Sequence, residues 1–139
     1  MSALRSFLQR APHERWLLLR ACILLGATAV SVRLLPFRAT CRLFNRNLRR
    51  RPPTRSEREI ASAIAVAALH VPGSNCLSEA FACLWLLRSH GHTATIRLGV
   101  RKDSSFAAHA WLQLPGGEIV LGGAASPCEY MPLSGGEIG

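Results

Sequence analysis

Between Trp16 and Phe37 the chain is strongly apolar, yet Arg20 and Arg33 leave only the 12 residues Ala21–Val32 free of charge. A membrane-spanning helix wants about 20 apolar residues, so this stretch is short for one unless the arginines snorkel. A secretory signal would be followed by a small-residue cleavage site and a mature domain; here the Arg-rich run 38–58 follows instead. Three readings stay open: a helix packed on the rest of the chain with its arginines in water, a helix lying on a membrane surface, and a spanning helix.

At 139 residues, 49% hydrophobic and 18% charged, the chain has the size and apolar content for one domain with a buried core. Its net charge of +9 is unevenly placed. Residues 1–58 hold 13 of the 17 basic residues and only Glu14 and Glu57 as acids, whereas residues 59–139 hold four basic and six acidic residues. Attraction to anionic surfaces therefore belongs to the front part. Sixteen of the 17 basic residues are Arg, a bias that fits a GC-rich coding sequence and a bacterial source. Five cysteines, odd in number and without a CxxC pair, argue against a disulfide framework and a standard zinc site and favour the cytoplasm.

The run Arg42–Arg51 has Phe44 as its only aromatic residue and no nucleic-acid-binding motif beside it, so it reads as a solvated helix face rather than a nucleic-acid site. Pro52-Pro53 stops that helix. The chain thus divides into a basic, hydrophobic helical segment, 1–55, and a domain, 56–139.

In the second part, Ser56 with Glu59 is a capping-box signature, and the apolar spacing of Ile60, Ala63, Ile64, Ala67 and Ala68 predicts a helix from about Glu57 to His70. Pro72-Gly73 ends it. Ser74 or Asn75 then caps a second helix with Leu77, Ala80, Phe81, Leu84 and Leu87 on its buried stripe and Gly91 as its stop. Alternation predicts strands over Thr93–Val100, Phe106–Leu114 and Glu118–Leu121, with Pro115-Gly116-Gly117 as a turn. Two helices followed by an antiparallel meander make the class α+β. The Gly/Ser/Pro-rich tail after Gly122 reads as an extended wrap or frayed end.

Cys76 falls at the predicted start of the second helix, where unpaired N–H groups and the helix dipole favour a thiolate. His109, in Phe106-Ala-Ala-His-Ala-Trp-Leu112, lies on the strand expected to cross the core. A thiol at a helix start and an imidazole on a distant strand can exchange a proton and yield a nucleophile; an ordinary thiol and a core histidine are the alternative. Cys83, surrounded by apolar neighbours, reads as core rather than as a metal ligand. His90 and His92 flank the turn glycine and look exposed, and His13 and His70 lack ligand-type neighbours, so no metal or cofactor site is expected. Trp111 reads as a packing residue beside His109.

Taken together, Cys76-Leu-Ser-Glu-Ala80, Leu86-Leu-Arg-Ser-His-Gly-His92, Leu98-Gly-Val-Arg-Lys-Asp103, Ala108-His-Ala-Trp-Leu112 and Val120-Leu-Gly-Gly123 resemble the lasso-peptide leader peptidase family. These are stand-alone, transglutaminase-like cysteine proteases similar to the C-terminal domain of the microcin-processing protein. The resemblance covers about Ser56 to Leu133 and extends to the hydrophobic front ending near Leu34-Leu-Pro-Phe-Arg38. It implies a papain-like or transglutaminase-like core, Cys76 and His109 as a catalytic pair, and removal of the leader from a ribosomally made precursor peptide. It further implies a leader-binding recognition protein and an ATP-dependent macrolactam synthetase as partners, so that ATP belongs to the partner.

The family's third catalytic member is typically an Asp on the strand after the His strand, and no carboxylate stands there in this sequence. With Leu114 opposite Glu118, His109 faces Gly123, and Glu118 lies too far along the hairpin to reach the ring. Asp103, in the preceding turn, is a weak substitute. A Cys–His dyad oriented by other groups, a protease with reduced activity, and a non-catalytic peptide-binding or scaffold member of the same fold are the readings this leaves, with surface contact to a membrane through residues 1–55 as an additional expectation.

Overall fold

Four helices and four strands account for most of the computed structural model, which describes residues 5–6, 8–44, 53, 55–102, 106–121 and 131–138. Helix α1 (Pro12–Leu34) starts with Pro at its first turn, where a missing N–H costs nothing. Pro36 separates it from the short α2 (Phe37–Phe44). Helix α3 (Glu57–Ala68) is capped as its sequence predicts, the Ser56 side chain accepting from the Glu59 N–H at 3.2 Å.

Helix α4 (Cys76–Ser89) has Asn75 as its cap. The Asn75 Oδ1 accepts from the Ser78 N–H at 2.9 Å, and the Ser78 Oγ accepts from the Asn75 N–H at 2.8 Å. The far end closes with paired bonds from the Gly91 N–H to the Arg88 carbonyl and from the His92 N–H to the Leu87 carbonyl. That arrangement needs a left-handed residue, and Gly91 supplies it at φ 83°.

The strands are β1 (Thr95–Lys102), β2 (Phe106–Gln113), β3 (Ile119–Leu121) and β4 (Met131–Ile138), in the order β3-β2-β1-β4. The antiparallel meander is as expected, but the chain end differs from its expected wrap: β4 pairs antiparallel with β1 along the open edge. Its Pro132 is tolerated because an edge strand has one unpaired side. The β2–β3 hairpin keeps Gln113 opposite Ile119, then a bulge sets Leu112 opposite Leu121. The expected pairing of His109 with Gly123 lies outside the described residues, as do Asp103 and most of the run 42–51.

One core joins both parts of the chain. Ala21 and Leu25 of α1 meet Ile60 and Ile64 of α3, Phe81, Leu84 and Leu87 of α4, and Ile96 and Leu112 of the sheet, all fully buried. The Thr28 hydroxyl, also fully buried, contacts the carbonyls of Leu25 and Ser78 at 3.0 Å each, tying α1 to the first turn of α4. At the turn before α4, Arg33 Nη2 donates to the Gly73 carbonyl at 3.4 Å. Gly73 has φ 80°, a left-handed conformation that favours glycine, and the Arg33 guanidinium lies against it.

Candidate active site

Cys76 is the first residue of α4 and is half-buried. The cap satisfies the N–H groups of Asn75 and Ser78, while the helix and its cap offer no acceptor to those of Cys76 and Leu77. Two backbone donors therefore sit beside the thiol, as an oxyanion would need.

His109 lies in β2, opposite Gly99 of β1, a neighbour without a side chain. Its ring stacks on Trp111, with centroids 6.3 Å apart and planes 22° from parallel. Trp111 is buried, in keeping with its expected packing role. Ala110 and Leu112 belong to the main core, so alternation puts His109 and Trp111 on the other face of β2.

Helix α4 packs on β2, and Glu79, one helical turn beyond Cys76, is close enough to His109 for their charges to interact. Burial pushes the Glu79 carboxyl up from the ordinary carboxylate range, and the neighbouring His109 partly offsets that. Ala110 and Leu112 share the core with α4, whereas His109 is on the other face of β2, so what links the first turn of α4 to His109 in the described structure is the charge interaction of Glu79. Sequence motifs alone give Glu79 no role; its spacing of three from Cys76 on one helix is the signal that points to it.

The remaining candidates have other tasks. Cys83 is core, and burial pushes its thiol up to about 12, which leaves it inert as a nucleophile or ligand. His92 is a correction to its expected exposure: its side chain is only 11% exposed and pairs with Glu57 at 3.1 Å. His90 is also partly buried, and its imidazole is shifted down by burial first, then by Arg20, Arg55 and His92. The tight helix ending folds this segment back against Arg55 and Glu57, which exposure estimates from the turn glycine alone miss. Glu118 faces Arg58 at 3.1 Å in an exposed ion pair. The described strand β3 carries no carboxylate of its own.

A cleft of about 450 Å³ lies between α1 and α3, lined among others by Arg10, His13, Glu14, Arg55 and Glu59. None of its lining residues belongs to α4 or β2, so it is separate from the Cys76 region.

These features define a class, mixed helix-and-sheet domains with a thiol heading the helix that packs on a histidine-bearing strand. Within that class, residues 22–135 match the transglutaminase-like superfamily, and the chain belongs to it. The match begins inside α1, so the helix that shares the core also shares the family segment. No curated protein and no solved structure matches the chain.

Proposed function

We propose that this protein is a cytoplasmic cysteine peptidase that removes the leader from a ribosomally made lasso-peptide precursor. The observation that carries the reading is the placement of Cys76 at the head of α4, whose first turn lies within electrostatic reach of His109 through Glu79. Membership of a superfamily that includes cysteine peptidases supports it, as do the spaced motifs around both residues.

In this mechanism the Cys76 Sγ attacks the scissile carbonyl while His109 takes the thiol proton. The N–H groups of Cys76 and Leu77 face the developing oxyanion. The C–N bond then breaks, the imidazolium returns its proton to the leaving amine, and a thioester remains on Cys76. Water, deprotonated by His109, hydrolyses that thioester and frees the enzyme. Glu79 lies within charge interaction of His109. A leader-binding recognition protein delivers the precursor, and an ATP-dependent macrolactam synthetase acts on the released core peptide.

A second reading, a peptide-binding member without catalysis, is favoured by the position of His109 on the strand face opposite Ala110 and Leu112. The two separate in one experiment: mass spectrometry of the precursor after incubation with the protein and the leader-binding partner, wild type beside Cys76→Ala and His109→Ala. The expected result is one new cleavage by wild type and a loss of at least a thousandfold in each variant. Equal processing by Cys76→Ala overturns the peptidase reading, and precursor binding without cleavage by any of the three proteins selects the binding reading.

A further inference from the structure

Helix α1 buries one side and leaves the other bare. Trp16, Leu19, Ile23, Val30 and Leu34 are 62%, 45%, 64%, 55% and 77% exposed. At 100° per residue they fall within an arc of about 60°, and from Trp16 to Leu34 the stripe runs about 27 Å. Gly26, near the middle of the stripe, has nothing within 4 Å of where a Cβ would stand. The apolar surface continues past Pro36 through Leu35, Phe37 and Leu43, at least 41% exposed. A bare apolar surface of this length on a folded chain needs an occupant.

The charges beside it indicate which. Arg20 borders the stripe on one side and Arg15 and Arg33 on the other, while Glu14 projects from the far side of the helix by the same angular reckoning. Arg38 and Arg42 line a shallow surface hollow of about 500 Å³ with Pro36, Ala39 and Leu43. Among the described residues none of these five arginines pairs with a carboxylate; Arg15 and Arg33 donate to backbone carbonyls. An apolar stripe rimmed by arginines matches the boundary between acyl chains and anionic headgroups. Spanning is a different matter. Helix α1 is long and apolar enough to cross a bilayer, but Ala21 and Leu25 are locked in the core and Thr28 is bonded to α4, so crossing would dismantle the domain.

We propose that the outer face of α1, with the adjoining surface of α2, lies in the plane of an anionic membrane and holds the protein on it while the domain stays folded. This inference stands apart from the peptidase reading and survives its failure.

The test uses the full chain with phosphatidylcholine vesicles, with and without phosphatidylglycerol, read by co-sedimentation and by the quenching of Trp16 fluorescence with lipid-borne bromine, against Trp16→Phe as the blank. Binding to the anionic vesicles is expected, falling at least tenfold in Ile23→Asp/Val30→Asp, and roughly thirtyfold in Arg38→Gln/Arg42→Gln given what two basic residues contribute near such a surface. Thermal unfolding in the absence of lipid establishes that each variant is folded. Three outcomes overturn the proposal: no sedimentation with anionic vesicles at low salt, binding unaffected by Ile23→Asp/Val30→Asp, or a dimer in solution that those changes dissociate while vesicles stay unbound. Extraction only by detergent, and not by alkaline carbonate, overturns the in-plane geometry in favour of a spanning helix.

Discussion

Helices α1 and α4 are both mainly apolar, yet they are buried to very different degrees. Eight of the 14 residues of α4 are buried, against five of the 23 in α1. Helix α4 touches α1 and α3 as well as β1 and β2, whereas α1 packs chiefly on α3 and α4. Burial therefore follows position in the stack of elements rather than composition, and the excess apolar surface of α1 is left for something outside the domain.

The thiols on the two helices sharpen this contrast most. Cys83 on α4 is fully buried with its thiol pushed up to about 12, whereas Cys22 on α1 is half-buried and shifted up by burial less strongly. Because only the thiolate reacts, alkylation of native Cys83 at pH 8 should run more than a hundredfold slower than that of Cys22. Peptide mapping by mass spectrometry reads both rates. Comparable rates would mean that α4 opens as readily as α1.

Stability should divide along the same line. Phe81→Ala removes a fully buried ring from α4 and should cost about 3–5 kcal/mol; Leu25→Ala on the inner side of α1 should cost about 2–5 kcal/mol. Ile23→Ala, on the outer side, should stay within about 0.5 kcal/mol. Urea denaturation measures all three. A loss at Ile23 as large as that at Leu25 would mean the outer face is covered in solution, and the comparison between the helices would fail.

Where the two helices meet, the effect is smaller. Thr28→Val keeps the shape of the side chain but removes the hydroxyl that reaches the Ser78 carbonyl, and should cost about 1 kcal/mol. Ser78 is also the residue that closes the cap beside Cys76. If that bond positions the first turn of α4, the turnover expected on the proposed peptidase reading falls in the variant at temperatures well below its unfolding midpoint; unchanged turnover would confine Thr28 to stability.

Local signals carried much of this architecture. Ser56, Pro72-Gly73, Asn75, Gly91 and Pro115-Gly116-Gly117 act on the few residues beside them through hydrogen bonds and allowed dihedrals, so the starts of α3 and α4 and the hairpin turn are legible in sequence. Strand β4 is not, because Met131-Pro-Leu-Ser-Gly-Gly-Glu-Ile138 has little strand propensity and forms by pairing with the edge of β1. Of the site, the placement of Cys76 at a helix start follows from its cap. The proximity of Glu79 to His109 does not, since it depends on how α4 lies across β2. Likewise the burial of His92 comes from the return of its loop onto Glu57, a contact between residues 35 positions apart.

Glu79 is where stability and function should part. Its carboxyl is pushed up by burial, so the folded protein holds that proton more tightly than the unfolded chain does. Stability contributed by the protonated form is present below the ordinary carboxylate range and is lost as pH rises through the raised value. Glu79→Gln should therefore be slightly more stable than wild type at neutral pH, by less than about 1 kcal/mol for a charge that solvent still screens, and the difference should vanish toward pH 3. On the proposed peptidase reading, turnover should move the other way, falling about tenfold as His109 loses its neighbouring charge, with partial recovery in Glu79→Asp. Denaturation curves and turnover measured across the same pH range test both halves. A variant that loses stability and activity together would make Glu79 a packing residue, and one that gains stability without losing activity would separate it from His109.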